Sequence, residues 1–184
     1  GDWAAGERGL ACLPGRKSEF RAAIHTALDV ARAIACPRIH VLAGLGDDVA
    51  CYVSNLQWAA AQAAEIELCI EPINGIDMPG YFLSRQQQAL DLIEAIGAPN
   101  LRLQFDGYHC QISEGEVLPN LRRAFEHGAL GHVQVAGVPG RNEPEQSADW
   151  LSELDKIGYS GHVGLEYRPR TTTRAGLGWL QRWR

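Results

Sequence analysis

The sequence has no long hydrophobic run and no apolar leader, and these two absences limit the classes of protein to which it can belong. Its longest apolar stretches, such as residues 58–64, are far shorter than the roughly 20 residues that a membrane-spanning helix needs. No basic segment followed by an apolar one marks a secretory leader. These absences predict a protein without a membrane partner, and we expect it to be cytoplasmic.

Cysteine and positive charge are also scarce. The five cysteines are odd in number and scattered, with no Cys-x-x-Cys pair to suggest zinc or redox chemistry, so we expect reduced cysteines that pack in the interior. The formal net charge of −5 argues against a nucleic-acid partner, because phosphate binding usually leaves a basic surface. Individual Arg or His side chains can still bind a small anionic ligand.

The apolar residues that are present follow a regular pattern. With 46% hydrophobic and 21% charged residues, the chain has the composition of a globular domain with a packed core. Five short apolar runs predict buried strands, and helical patterns precede the first run and follow every run. The predicted strands are residues 38–43, 66–73, 101–106, 132–136 and 162–167. The predicted helices are residues 18–33, 49–64, 85–96, 117–127, 148–157 and 173–183.

This alternation of strands and helices predicts a parallel sheet in the α/β class. Gly97, Gly128 and Gly158 stand where helices should end, at the position that favours a left-handed cap. No Gly-x-Gly-x-x-Gly follows a strand, which disfavours a nucleotide-binding sheet and favours a (β/α)8 TIM barrel. A complete barrel takes about 250 residues, whereas this chain has 184. We therefore expect one domain, residues 1–184, forming an incomplete barrel of five βα units that lacks the first three, with residues 1–9 inside a loop.

Four oxygen-bearing side chains stand at or near the ends of successive predicted strands. They are Glu71, Asp106, Gln134 and Glu166, separated from one another by about one βα unit. Because the carboxyl ends of barrel strands meet at one face, we expect these side chains to converge there. Three carboxylates in a partly buried cleft repel one another unless a cation balances them. Oxygen ligands without thiolates indicate Mg²⁺ or Mn²⁺ rather than Zn²⁺.

Each polar residue also has a structural interpretation. Any one of the four strand-end residues can be a helix cap or a rim salt bridge, although four in register are harder to explain in that way. His109 can be a hydrogen-bonded loop histidine, and His40 an inward-facing core histidine. Arg141 can be a solvated loop charge or can recognise a carboxylate. These alternatives stay open at the level of the sequence.

Several segments together resemble the hydroxypyruvate isomerase family of xylose isomerase-like TIM barrels. The resemblance covers essentially the whole chain, and the opening GDWAAGERG of residues 1–9 is similar to the loop after that family's third strand. The other matching segments are CIEPIN (69–74), DMPGYFL (77–83), LQFD (103–106), YH (108–109), GHVQ (131–134), PGR (139–141), EP (143–144) and GLEY (164–167).

The resemblance implies a metal bound by Glu71, Asp106, Gln134 and Glu166. It also implies isomerisation of hydroxypyruvate, a small anionic hydroxy-keto acid, to 2-hydroxy-3-oxopropanoate through an enediolate. Glu71 and Glu166 would then move a proton between adjacent carbons. His40, His109 and Arg141 would orient the substrate, with Arg141 facing its carboxylate.

The chain departs from the family pattern beside Gln134. Gly137 stands where family members usually carry Asp, and Asn142 where they carry His. A Gly-rich stretch after Pro144 is replaced by the shorter residues 145–149. These departures bear on substrate orientation and leave the four expected ligands intact.

Other functions fit parts of the same pattern. A 2-oxo-tetronate isomerase would have an identical ligand set, and more distant barrels with this layout epimerise ketoses at C3. A DNA-repair endonuclease of this fold fits poorly, because it needs more His ligands and a basic face. In a different class, the chain can be a non-catalytic remnant whose open barrel edge pairs with another copy, giving a homo-oligomer.

Overall fold

The computed structural model describes residues 1–145 and 148–183, and they form a parallel sheet of five strands. The strands follow one another in chain order across the sheet, so the sheet is half of a barrel. The first and the last strand form its two edges. The strands are β1 Arg38–His40, β2 Glu67–Ile70, β3 Leu101–Asp106, β4 Leu130–Val135 and β5 Val163–Leu165.

Helices cover one face of this sheet, and most of them pack against a neighbouring helix. No helix among residues 1–145 and 148–183 is long and apolar enough to cross a membrane. The helices are α1 Lys17–Ala33, α2 Val49–Gln62, α3 Gln86–Ile96, α4 Gly107–Ser113, α5 Val117–Glu126, α6 Ala148–Ile157 and α7 Thr173–Gly176, with 3-10 turns at Pro14–Arg16 and Gly178–Trp183.

The α/β class, the five strands and the first five predicted helices are confirmed, with strands shorter than predicted at most ends. The predicted helix at residues 173–183 is wrong in its length: α7 ends at Gly176, and a 3-10 turn follows. Glycine disfavours a helix interior, which explains this early end. Helix α4 was not predicted; it begins where the Asp106 carboxylate caps the Tyr108 amide. Gln146 and Ser147, in the shortened loop, lie outside the described residues.

Alternate strand residues face opposite sides of the sheet, as the pleat requires. On the helix-covered face, Leu68, Ile70, Leu101 and Leu103 are fully buried and join the hydrophobic core. The opposite face is the inside of the half barrel, and it is polar: along β2 and the residue after it, Glu67 and Glu71 contact side chains of the neighbouring strands. The helix-covered face therefore supplies the apolar contacts that stabilise the fold, and the inward face carries the polar side chains that are available for chemistry.

A shift of register between β3 and β4 decides which β4 residues face inward. Leu103 pairs with Leu130, but the next residue, Gln104, pairs with His132, so Gly131 is an extra residue on β4. Bulges of this kind redirect the side chains that follow them. With the shift, Gln134 lies opposite Asp106 and shares its inward face, and Val133 turns toward the helices. Without it, Val133 would lie opposite Asp106.

The bulge depends on the absence of a side chain at Gly131. A Cβ at this position would lie 2.5 Å from the Arg102 Cβ and 3.0 Å from the Arg102 Cγ. Gly131→Ala should therefore lower the free energy of unfolding by about 1–3 kcal/mol through overpacking, as measured by urea denaturation. Gly15→Ala, where a Cβ meets nothing within 4 Å, is the matched control. Equal stabilities for the two variants would contradict the requirement for glycine in the bulge.

Candidate active site

The four predicted strand-end residues come together at the carboxyl ends of β2 to β5. Glu71 directly follows β2, Asp106 is the last residue of β3, Gln134 is the penultimate residue of β4, and Glu166 directly follows β5. Asp106 pairs in register with Gln134, and Gln134 pairs with Gly164. The parallel arrangement therefore brings three carboxylates and one amide to one face.

Two amide side chains connect the outer carboxylates of this group. Gln104 Nε2 donates hydrogen bonds to Glu71 Oε2 at 2.9 Å and to Gln134 Oε1 at 2.8 Å. Gln134 Nε2 in turn donates to Glu166 Oε2 at 2.7 Å. The result is a continuous chain of hydrogen bonds from Glu71 through two glutamines to Glu166.

Glu71 is the most strongly perturbed of the carboxylates. Its side chain is only 4% exposed, and no described residue donates a hydrogen bond to its Oε1 atom. Burial raises its pKa well above the ordinary range, and the negative charges of Asp106 and Glu166 raise it further. Glu71 is thus a buried carboxylate that binds a proton or a cation readily.

Asp106 is fully buried, but its carboxylate has more favourable partners than that of Glu71. Arg141 Nη2 lies 3.0 Å from Asp106 Oδ2, and the Tyr108 amide donates to Asp106 Oδ1 at 2.8 Å. Burial raises the pKa of Asp106 from 3.8 to about 6, because desolvation outweighs the stabilisation of its charge by Arg141. The buried position of Asp106 therefore disfavours its charged form even though Arg141 is beside it.

Glu166 differs from both, since its side chain is 58% exposed. Its Oε1 atom forms an ion pair with Arg141 Nη2 at 3.1 Å. The two glutamates predicted to move a proton thus stand in contrasting surroundings, one buried and one open to the cavity. Such a contrast is common where two carboxylates have different roles.

Arg141 occupies the centre of the carboxylate group. Besides the ion pairs to Asp106 and Glu166, its Nε donates to the Glu166 backbone carbonyl at 3.2 Å. Its φ angle is 52°, a left-handed conformation that is unfavourable for any residue other than glycine. Backbone strain of this kind is concentrated at functional sites. The loop therefore holds Arg141 against the carboxylates at a conformational cost.

The loop that carries Arg141 explains the glycine at position 137. The Gly137 amide donates to the Asn142 carbonyl at 2.8 Å, which closes the loop after β4. A Cβ on Gly137 would overlap the Glu143 carbonyl oxygen. Asn142 itself donates from Nδ2 to the Arg168 carbonyl at 2.9 Å. The two departures from the family pattern thus belong to one tight loop rather than to the group of carboxylates.

His109 is buried and is oriented by Asn74. Both the Asn74 backbone amide, at 3.3 Å, and its Nδ2 atom, at 2.7 Å, face the His109 Nδ1 atom. Asn74 Oδ1 accepts from the amides of Ile76 and Asp77, which fixes Nδ2 as the donor toward His109. Arg141 Nη1 lies 2.9 Å from the other ring nitrogen, Nε2, so donors face both nitrogens of the ring. Burial lowers the pKa of His109 to about 3 and keeps the ring neutral.

His40 lies beside Glu71 on the inward face. Its Nε2 atom is 3.4 Å from Glu71 Oε2, and about 29% of its side chain is exposed. Desolvation lowers its pKa, and the neighbouring His132 lowers it further, so the ring is neutral near pH 7. His40 can therefore form a hydrogen bond with a bound molecule without adding charge to the site.

These residues line a single cavity of about 700 Å³. The residues predicted from the sequence that line it are His40, Glu71, His109, Arg141 and Glu166, while Asp106 and Gln134 contact them from the sheet. Apolar side chains, including Trp3, Leu42 and Met78, form the rest of the wall. The cavity combines polar groups on one side with apolar surface on the other, as small-molecule sites usually do.

The group fits a divalent cation. Glu71, Asp106 and His109 each offer an atom within 4.8 Å of the others, and all three are buried, so they can hold a metal ion. Gln134 Oε1 and Glu166 extend the set of oxygen donors through the amide chain. The unpartnered Glu71 Oε1 is the feature that most clearly calls for a cation or a proton.

Reasoning from the sequence missed Gln104 and Asn74. Gln104 stands two residues before Asp106 on the same strand, so the two-residue period of a strand places both on one face and could have identified it. Asn74 lies in the CIEPIN segment, but no sequence signal indicates that its side chain reaches His109, 35 residues away.

Comparisons with known proteins place the chain in a known group. A family model described as xylose isomerase-like TIM barrel matches residues 2–183. A 2-oxo-tetronate isomerase from Cupriavidus necator is 51% identical, over 98% of this chain and 74% of that relative. A hydroxypyruvate isomerase from Escherichia coli is 43% identical, over 100% of this chain and 76% of that relative.

Solved structures agree with these relationships. The crystal structure of an AP endonuclease, family 2, from Brucella melitensis superposes with a TM-score of 0.95 at 38% identity, and covers 100% of this chain and 75% of that one. A D-psicose 3-epimerase from Clostridium cellulolyticum has a TM-score of 0.71 at 22% identity, covering 96% of this chain and 66% of that one, and shares the fold.

The buried charge of Glu71 should cost stability when no cation balances it. Glu71→Gln should raise the free energy of unfolding at pH 7 in EDTA by about 1–3 kcal/mol, because the wild-type carboxyl must either bury its charge or take up a proton on folding. The raised pKa means that folding favours protonated Glu71, so the difference between wild type and variant should shrink as pH falls from 7 to 4. Urea denaturation across this range measures both effects. Glu166→Gln, at an exposed position, is the control, and a gain as large as that of Glu71→Gln would contradict the role of burial.

Proposed function

Because this chain belongs to the xylose isomerase-like TIM barrel family, we propose that its cavity isomerises a short hydroxy-keto acid, with hydroxypyruvate as the substrate. The curated relatives are isomerases, and the chain is an isomerase-like enzyme. The product of the proposed reaction is 2-hydroxy-3-oxopropanoate. The reaction exchanges a carbonyl and a hydroxyl between neighbouring carbons, and so requires a proton to leave one carbon and reach the other.

One observation carries the proposal. Three carboxylates and two amides from four successive strands converge at one end of the sheet, joined by hydrogen bonds from Glu71 to Glu166. A structural role does not account for burying Glu71 with an unpartnered oxygen, because that arrangement is unfavourable to folding. Buried titratable groups with perturbed pKa values in a cavity are typical of a catalytic site.

Glu71 and Glu166 are the proposed proton-transfer groups. Burial raises the pKa of Glu71, which makes it a stronger base toward a proton on a substrate carbon. Glu166 lies at the other end of the amide chain and is open to the cavity, where it can serve the neighbouring carbon. The buried position of Glu71 also limits the exchange of its proton with water.

The proposed ligands of a divalent cation are Glu71, Asp106, Gln134 and Glu166. All four supply oxygen, which favours Mg²⁺ or Mn²⁺. When bound, the cation would stabilise the negative charge that develops on the substrate oxygens. His109 is close enough to join these ligands, because its Nε2 atom lies 3.9 Å from Glu71 Oε1 and 3.8 Å from Asp106 Oδ2.

Substrate orientation is assigned to His40, His109 and Arg141. Arg141 is the cation inside the group of carboxylates, and its planar guanidinium suits a substrate carboxylate. His109 Nε2 lies 2.9 Å from Arg141 Nη1, so the ring and the guanidinium face the same part of the cavity.

A second substrate is favoured by sequence similarity. The 2-oxo-tetronate isomerase from Cupriavidus necator is 51% identical to this chain, more than the 43% of the Escherichia coli hydroxypyruvate isomerase. A 2-oxo-tetronate is a 2-oxo acid with a hydroxyl on the neighbouring carbon, as hydroxypyruvate is, and the same residues can act on both. It extends further into the cavity by one hydroxymethyl group.

The endonuclease name of the Brucella melitensis structure does not alter the proposal. The chain carries a formal net charge of −5, and its candidate site holds three carboxylates around one arginine. Such a site is electrostatically unfavourable for a nucleic-acid backbone, which is recognised through basic surface. A small anion held by Arg141 is the better match.

A direct assay tests the proposed reaction. Purified protein should isomerise hydroxypyruvate in the presence of Mg²⁺ or Mn²⁺ and lose this activity in EDTA, because the reaction depends on stabilising a developing negative charge. Formation of the aldehyde product is followed by nuclear magnetic resonance. The same assay with 2-oxo-tetronate ranks the two substrates by kcat/KM. Absence of metal-dependent turnover with both substrates would refute the proposal.

Substitution of the two glutamates tests their roles. Glu71→Gln and Glu166→Gln should each lower kcat by about 100-fold or more, the usual contribution of a general acid or base. Glu67→Gln is the matched control, because Glu67 faces the same interior on β2 but pairs with Arg38 at 2.7 Å, away from the site. Full activity of either site variant would remove that residue from the mechanism.

A further inference from the structure

We propose that Gln104 is a positioning residue, which orients Gln134 and Glu71 for binding a divalent cation. This inference rests on the proposed metal-assisted function and goes beyond it by assigning a residue outside the four expected ligands. Gln104 is 7% exposed, faces the inside of the half barrel, and makes its hydrogen bonds to the side chains of two of those ligands.

The position of Gln104 in the sheet explains its reach. It lies on β3 between β2 and β4, which carry or precede Glu71 and Gln134. The bulge at Gly131 begins at Gln104 and turns His132 and Gln134 to the inward face. One side chain on the middle strand therefore contacts ligands from both neighbouring strands at 2.9 and 2.8 Å.

The hydrogen bond from Gln104 determines which atom Gln134 presents. A glutamine amide has an oxygen that binds a cation and a nitrogen that does not, and the two ends have nearly the same shape. In the observed orientation Oε1 accepts from Gln104 Nε2, and Nε2 donates to Glu166. If the Gln134 amide were rotated by half a turn, its Nε2 atom would face the Gln104 donor. Its Oε1 atom would then face the Glu166 carboxylate, which also accepts. Gln104 thereby keeps the oxygen of Gln134 on the side of Glu71, with one lone pair still free.

Gln104 acts on Glu71 through its second proton. It donates to Glu71 Oε2 and leaves Oε1 without a donor among the described residues. A neutral donor fixes the carboxylate plane without supplying a charge that would compete with a cation. Hydrogen bonds to metal ligands of this kind commonly set ligand orientation and metal affinity.

Gln86 provides a matched comparison. It is also a buried glutamine, 1% exposed, but it lies on α3, and its Oε1 atom has no hydrogen-bond partner in the described structure. Replacing Gln86 with methionine thus removes a buried amide of the same size without touching the candidate ligands. The comparison separates the effect of losing a buried amide from the effect of losing the orientation of the metal ligands.

The test measures Mn²⁺ affinity by titration calorimetry, and by the electron paramagnetic resonance of free Mn²⁺, in wild type, Gln104→Met and Gln86→Met. Methionine keeps the length and approximate volume of glutamine but donates no hydrogen bond. Gln104→Met should weaken Mn²⁺ binding by about 10- to 100-fold, the usual effect of removing a hydrogen bond to a metal ligand. Gln86→Met should bind like wild type. Circular dichroism and thermal unfolding establish that each variant is folded.

A double-mutant cycle with Gln134→Met shows whether Gln104 influences Mn²⁺ affinity through Gln134. If Gln104 acts largely through Gln134, adding Gln104→Met to Gln134→Met should weaken binding by a smaller factor than it does in wild type. Equal factors in both backgrounds would overturn the action through Gln134.

The outcomes separate the two levels of the proposal. Wild-type affinity in Gln104→Met, with Mn²⁺ bound tightly by wild type, would overturn the role of Gln104 and leave the proposed function intact. Equal weakening in Gln104→Met and Gln86→Met would assign the effect to lost packing and also overturn that role. Absence of Mn²⁺ and Mg²⁺ binding to wild type would refute the metal-assisted function and, with it, this inference.

Discussion

The repulsion among Glu71, Asp106 and Glu166 is the constraint on which the rest of the site depends. Two of these carboxylates are buried, and burial raises both of their pKa values. Neighbouring groups reduce this unfavourable charge: Arg141 forms ion pairs with Asp106 and Glu166, and the two glutamines donate to one oxygen each of Glu71 and Glu166. The balance is incomplete at Glu71 Oε1, and this is where chemistry is expected.

The hydrophobic face of the sheet allows such a site to exist. Leucine, isoleucine and phenylalanine side chains on the helix-covered face are almost completely buried and supply the apolar contacts that stabilise the fold. The inward face is then free to carry charged groups, and the loop after β4 places Arg141, in its left-handed conformation, against them. A separation of this kind is typical of TIM barrels, in which catalytic residues lie at the carboxyl ends of strands.

One backbone irregularity connects the fold to the function. The bulge at Gly131 changes the register between β3 and β4, and only after that change does Gln134 face inward opposite Asp106. The same change brings Gln134 within hydrogen-bonding distance of Gln104. The family relationship and the geometry agree on an isomerase-like enzyme, while the substrate depends on contacts in the cavity that Arg141, His40 and His109 provide.

The sequence by itself determined the class of the protein, the order of its strands and helices, and the residues at the strand ends. These properties follow from local patterns: apolar runs, glycine caps and the position of polar residues immediately after a strand. The tertiary structure alone decided the bulge, the bridging role of Gln104, the contacts of His109 with Asn74 and Arg141, and the contrast between buried Glu71 and exposed Glu166. Each of these depends on which atoms of distant segments meet. Register and burial are set by packing across strands, and no local pattern in the sequence records them.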